Sequence, residues 1–175
     1  MRRSFFMVAS LLLLTTTIAS AAAWHRFSDR SFSFTLSYPA DWHGTVGGLP
    51  GVQQLILERQ GKTQYAMTVL VLNIKPGKTP RDTVQRVIAH GQTTGGVGLG
   101  GIHWSAASIG GRAAMSGVTH PPTEGGVNIA MAVYIVGWRT HIYEVALTSF
   151  THPAPTSVGR FPAVYRQILR TWRFV

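Results

Sequence analysis

The groups that could do chemistry in this 175-residue chain are few: six carboxylates, seven histidines and no cysteine. The carboxylates are Asp29, Asp41, Glu58, Asp82, Glu124 and Glu144. A hydrolytic pair needs two of them to converge on one bond, and their settings suggest other work. Asp41 stands in a turn after Pro39. Asp82 stands in the first turn of a helix, where a negative charge meets free N–H groups. Glu144 lies mid-strand between Tyr143 and Val145. No G-x-S-x-G, S-x-x-K or H-E-x-x-H occurs to place a nucleophile or a metal-bound water.

The histidines are His25, His43, His90, His103, His120, His141 and His152. None forms an i, i+4 pair, and none has a carboxylate close in sequence. His103 and His141 could meet across a sheet. Without cysteine there are no disulfides, thiolate metal sites or lipoprotein anchor. We assign no catalytic residue, no metal and no cofactor. Gly96-Val97-Gly98-Leu99-Gly100-Gly101 matches G-x-G-x-x-G, but it falls between a helix and a strand. A dinucleotide site needs the reverse order, so the segment reads as a mobile loop. Gly77-Lys78-Thr79 resembles the end of a phosphate loop, but Leu72 occupies the place of the leading glycine.

What remains is positive charge. Sixteen Lys and Arg against six acids give a net +10, or +8 once Arg2 and Arg3 are set aside. Arg166, Arg170 and Arg173 follow at i, i+4 and i+7, so on a helix they line one face that can grip carboxylates or phosphates. Lys75, Lys78 and Arg81 surround the start of another helix, where free N–H groups also favour an anion. The plain alternatives are cations stabilising a helix C-terminus and a solvated loop.

The elements that must hold these groups can be read from periodicity. Residues 1–23 have the form of a cleaved secretory signal peptide. Arg2 and Arg3 precede an apolar run from Phe5 to Leu14, and the small residues Ala19–Ala23 suit cleavage. That run is too short to span a bilayer. Residues 24–175 then form a single domain. Phe32, Phe34, Leu36 and Tyr38 alternate with Ser31, Ser33, Thr35 and Ser37, the repeat of a half-buried strand. Trp24–Phe27 reads as a lead-in, and the glycines of His43–Gly51 suggest a loop. Strands follow over Val52–Arg59 and Gln64–Ile74, the second apolar on both faces and so central. Thr79 as N-cap, Pro80 at N1 and Asp82 at N3 start a helix. It presents Val84, Val87 and Ile88 to a sheet and stops near Gly91. Hairpins are expected over Ile102–Thr119, turning at Gly110-Gly111, and over Val127–Phe150, turning at Gly137-Trp138-Arg139. A closing helix reaches Trp172 with Phe161, Val164, Tyr165, Ile168 and Leu169 on its buried face.

Three stretches together resemble the PsbP/Mog1-like superfamily, which includes small exported bacterial proteins. They are Phe32-Ser33-Phe34…Tyr38-Pro39-Ala40-Asp41-Trp42, the late hairpin Tyr134…Gly137…Ile142-Tyr143-Glu144-Val145, and the ending Ile168-Leu169-Arg170-Thr171-Trp172-Arg173-Phe174. The resemblance implies an α+β fold: a central antiparallel sheet flanked by helices, an α/β/α sandwich. Its members are generally not enzymes. One branch supports photosystem II and another binds a Ran GTPase, but no partner-binding residue of either matches a position here. The glycine-rich segment and the charge also set this chain apart.

The reading is therefore a non-catalytic exported accessory protein, periplasmic or extracellular. It would engage a protein or cell-envelope partner, with no specific nucleic acid and no membrane span after cleavage. Its site would lie among Arg166, Arg170, Arg173, Lys75, Lys78 and Arg81. The alternatives are a small exported hydrolase and an anionic-polymer binder acting through the basic helix face.

Overall fold

Alternating apolar residues drive the chain into ten strands and two α-helices among the residues that the computed structural model describes, 23–59, 61, 65–94, 102–120 and 129–175. The leader and the glycine-rich segment lie outside them. So do Glu124 and part of the expected Gln60–Lys62 turn. The strands are β1 (Trp24–Asp29), β2 (Phe34–Pro39), β3 (Trp42–Leu49), β4 (Val52–Arg59), β5 (Tyr65–Asn73), β6 (Ser105–Ile109), β7 (Arg112–Thr119), β8 (Ala130–Trp138), β9 (His141–Ser149) and β10 (Arg173–Phe174). The helices are α1 (Pro80–Thr94) and α2 (Ala163–Thr171). One sheet of seven strands runs β3-β4-β5-β9-β8-β7-β6, and a second of three runs β1-β2-β10. Every pairing is antiparallel.

The two faces of the large sheet bury different sets, as the period of two requires. Val133 and Ile135 of β8 point to one face, where they meet Ile142, Ile102 and the expected stripe Val84, Val87 and Ile88 of α1. Val136 and Tyr134 of β8, Val145 of β9 and Val69 of β5 point to the other. There they join Phe34 and Leu36 of β2 and Tyr165, Ile168 and Trp172 at α2. The expected sandwich flanked by helices therefore needs correction. The fold is mostly antiparallel sheet. One helix lies on each face, and the small sheet supplies much of the second cover. The reason lies in β1 and β10, where Trp24–Asp29 and Arg173–Phe174 pair with opposite edges of β2. The stretch read as a lead-in is thus a strand.

Two further expectations change. His43–Gly51 is not a loop: residues 42–49 pair with β4 residue for residue, from Trp42 with Arg59 to Leu49 with Val52. Pairing supplies the hydrogen bonds that glycine-rich sequence disfavours locally. Pro50 at the first corner of the turn and Gly51 at φ 82° at the second close the hairpin. The second change is in α1, which passes Gly91 and ends at Thr94. A lone glycine costs about 1 kcal/mol in a helix and does not break it. The start of α1 is as read: the Thr79 hydroxyl donates to Asp82 Oδ2 at 2.7 Å and accepts from Asp82 N–H at 3.1 Å.

On the second face, Trp172 stacks on Phe34 with ring centroids 4.1 Å apart and meets Tyr143 edge-on at 6.2 Å. Tyr165 pins α2 to the sheet, since its hydroxyl accepts from Ala66 N–H at 3.1 Å and also contacts the Ala66 and Thr148 carbonyl oxygens. Removing that hydroxyl leaves buried strand groups unpaired. Tyr165→Phe should cost about 1–3 kcal/mol in urea unfolding, with an unchanged denaturant slope.

Glu144 lies mid-sheet on the α1 face, opposite Leu70 and Ile135, and burial raises its pKa above the ordinary carboxylate range. The folded state thus holds this proton more tightly than the unfolded chain. Its contribution is fully present below the ordinary carboxylate pKa and is lost as pH rises through the raised value. Glu144→Gln should raise stability at pH 7 by less than about 1 kcal/mol. Melting curves from pH 4 to 7 should lose that part of their slope.

Candidate functional site

Strand register sorts the charges to two ends of the large sheet. Leu49 pairs with Val52, Val52 with Leu72, and Leu72 with Ile142, so the β3–β4 turn shares one end with the β8–β9 turn. The Gly110-Gly111 turn between β6 and β7 joins them there, because Ala114 pairs with Val136 two residues before Trp138. The segment from Asn73 into α1 starts at the same end, and Ile74 N–H donates to the Thr140 carbonyl at 2.7 Å. The opposite end carries Asp41, Glu58 and Arg59, with Arg59 Nε bonded to Asp41 Oδ2 at 2.8 Å.

The first end is cationic. Lys75, Lys78 and Arg81 are exposed on its α1 side, and Arg139 is exposed in the β8–β9 turn. Arg112 stacks on Trp138 with its guanidinium carbon 3.7 Å from the ring centroid, and that of Arg139 lies 5.5 Å away. Such cation–ring contacts hold guanidinium groups in place while leaving their N–H edges open. The carboxylate on this side, Asp82, is engaged by Thr79. Burial lowers the pKa of His141 below 6.5, so it enters neutral solution uncharged.

A groove of roughly 580 Å³ opens at this end on the α1 face, between the first turns of α1 and β7, with the Arg112–Trp138 stack on the opposite face. Pro80, Val84, Ala113 and Met115 make its walls apolar, and Arg81 stands at its rim. Its floor depends on Gly137: a Cβ there would lie 2.6 Å from Pro80 Cβ, so no larger residue lets α1 approach this closely. The end as a whole can bind anionic groups beside apolar surface. Its Lys and Arg groups offer N–H donors to such an anion.

The candidates from sequence divide between two places. Lys75, Lys78 and Arg81 belong to the cationic end. Arg166 and Arg170 are exposed on α2, but Arg173 is not the third residue of a helical face. α2 ends at Thr171, whose hydroxyl donates to Ile168 O at 2.7 Å, and Trp172 turns extended so that Arg173 enters β10. Arg173 Nη1 donates to the carbonyls of Arg170 at 2.9 Å and Trp172 at 2.6 Å, while Arg166 Nη1 donates to Gly159 and Phe161. Two of the three guanidinium groups thus cap their own backbone. His103 and His141 stay apart. His103 precedes the edge strand β6, and β7 and β8 lie between that strand and β9. Among the described residues no group of three or more His, Asp or Glu could hold a metal.

Arg112, Trp138 and Arg139 were missed. Periodicity places each of them at a strand end or turn. Only the β7–β8 register, which puts Arg112 across from Trp138, brings them together.

No family profile matches the sequence, and no curated protein does. Solved structures match by fold. One is the solution structure of cyanobacterial PsbP (CyanoP) from Synechocystis sp. PCC 6803, with TM-score 0.56 and 16% identity over 93% of this chain and 99% of that one. Another is a crystal structure from Bacteroides thetaiotaomicron VPI-5482, with TM-score 0.56 and 14% identity over 86% of this chain. This chain spans about half of that protein's length, 48%. The fold is PsbP-like, as the sequence resemblance implied, and at these identities the likeness carries fold alone.

Arg139 has φ 51°, a left-handed conformation that costs a side-chain-bearing residue about 1 kcal/mol or more. Arg139→Gly should therefore raise stability in thermal melts by about 0.5–1 kcal/mol. The same variant should weaken retention on an anionic matrix, separating a surface role from a structural one.

Proposed function

We propose that this protein is an exported, non-catalytic accessory module that binds an acidic protein or an anionic envelope component through the cationic end of its large sheet. The observation that carries the proposal is the Arg112–Trp138–Arg139 stack on the small-sheet face, with Lys75, Lys78 and Arg81 at the same end of the sheet on the α1 side. Guanidinium groups fixed on a ring recognise carboxylate or phosphate at a small cost in side-chain entropy. The formal charge of +8 that remains without the leader adds long-range attraction to any such partner. The PsbP-like fold is consistent with an accessory role, and the leader read in residues 1–23 with export. The helix on each face is read as a reduced version of the helical layers of a sandwich.

The face on α2 takes second place in this reading, because Arg166 and Arg173 already serve backbone carbonyls. Binding to immobilised poly-glutamate tests the assignment. The wild-type protein should bind at low salt and release as ionic strength rises. Lys78→Glu combined with Arg112→Glu and Arg139→Glu should weaken binding at least about tenfold. Arg166→Ala with Arg170→Ala should change it less than twofold. Equal losses from both sets, or no loss from the first, would remove the cationic end as the site.

A further inference from the structure

The β3 edge is unlike an ordinary sheet edge. Such edges present unpaired N–H and C=O groups, and monomeric proteins blunt them with charges, proline or bulges. From Trp42 to Leu49 this strand has eight residues, no Lys, Arg, Asp, Glu or Pro, and a continuous register with β4. Every residue after Trp42 is exposed, including Val46 at 54% and Leu49 at 77%. The opposite edge, β6, has five residues and no exposed large apolar side chain.

We infer that β3 is a self-pairing edge: two copies of the chain join antiparallel through it, continuing the seven-stranded sheet across a two-fold axis that passes beside Val46. Two features select a second copy as the occupant. The first is register. The two-residue turn at Pro50-Gly51 makes Leu49 and Val52 a hydrogen-bonded pair. Counting back, Val46 and Gly44 turn their backbone groups outward, while Gly48, at φ 146°, departs from regular strand geometry. A two-fold axis perpendicular to the sheet keeps each face on its own side, so residues can meet only in pairs of equal parity. Centring on Val46 places it opposite its own copy and pairs Gly44 with Gly48. The outward groups of Val46 then meet those of its copy, and glycines oppose glycines where copies would otherwise crowd.

The second feature is charge. Two chains of net +8 without the leader repel through most of their surfaces. Antiparallel pairing of β3 joins the copies along an uncharged strand and sets the uncharged Leu49-Pro50-Gly51 turn of each beside Glu58 and the Asp41–Arg59 pair of the other. The uncharged strand itself adds no like-charge contact. This inference is independent of what the cationic end binds.

A strand pair is a small interface, so association is expected at micromolar or higher concentration. The chain has no native cysteine, which makes single-cysteine cross-linking clean. Val46→Cys should oxidise to a disulfide dimer, since residues facing across a hydrogen-bonded pair lie about 5.5 Å apart at Cα. Leu49→Cys should cross-link at least tenfold more slowly, because its own copy is displaced by about 20 Å along the strand. In sedimentation without oxidant, Val46→Lys should weaken dimerisation at least tenfold while leaving the melting temperature unchanged. Equal cross-linking at both positions would indicate unspecific edge contact and overturn the proposal. So would a monomer at every concentration, or a dimer insensitive to Val46→Lys.

Discussion

The contact on which the rest depends is Trp172 against Phe34 and Tyr143. Phe34 belongs to the small sheet, Tyr143 to the centre of the large one, and Trp172 is the residue at which α2 ends. One buried indole thus joins three elements that are far apart in sequence. Its own Nε1–H has no partner among the described residues, so the apolar gain of about 2–3 kcal/mol or more must exceed that loss. β10 follows from the same contact. Once Trp172 is seated, the next two residues lie alongside β2, and Val175 N–H bonds the Ser33 carbonyl at 3.1 Å.

With both faces of the large sheet committed to apolar contact, charge has only its ends, the helix surfaces and the loops to occupy. Glu144 is the exception, and its raised pKa shows what the face does to a carboxylate. The concentration of Lys and Arg at one end is therefore partly a consequence of topology, since three turns and a helix start converge there. What topology does not require is the stacking of Arg112 on Trp138, or an arginine at the left-handed position 139 where glycine would fit with less strain. Those two features make the end look selected for contact.

Much of the fold was legible in the chain. The Val84–Ile88 stripe and the Phe161–Trp172 face bury as their spacing requires, whereas the Phe32–Tyr38 alternation holds only in part: Phe32 lies in a 3-10 turn before β2, Ser33 is left-handed, and Thr35 is buried on the face expected to be wet. β1, β3 and β10 were not legible, and for one reason. Trp24–Asp29, the glycine-rich Trp42–Leu49 and the two-residue β10 are made strands by partners, not by their own propensities. The site followed the same rule. Lys75, Lys78 and Arg81 cluster locally and were visible, whereas Arg112 and Trp138 meet only through register. Arg173 was misplaced because helical spacing was extended past the residue where Thr171 ends the helix.

Charge separated along strands has a mechanical meaning. The strand direction is a stiff axis of the large sheet, so cations gathered at one end, with Glu58 and the Asp41–Arg59 pair at the other, give the molecule a handle by which a field can turn it. Near an anionic object, within roughly one 10 Å screening length, that torque acts before any residue touches. The protein would arrive end-on, as a compass needle settles. Both long edges of the sheet would then stand parallel to the line of approach and stay free of the surface that captured it.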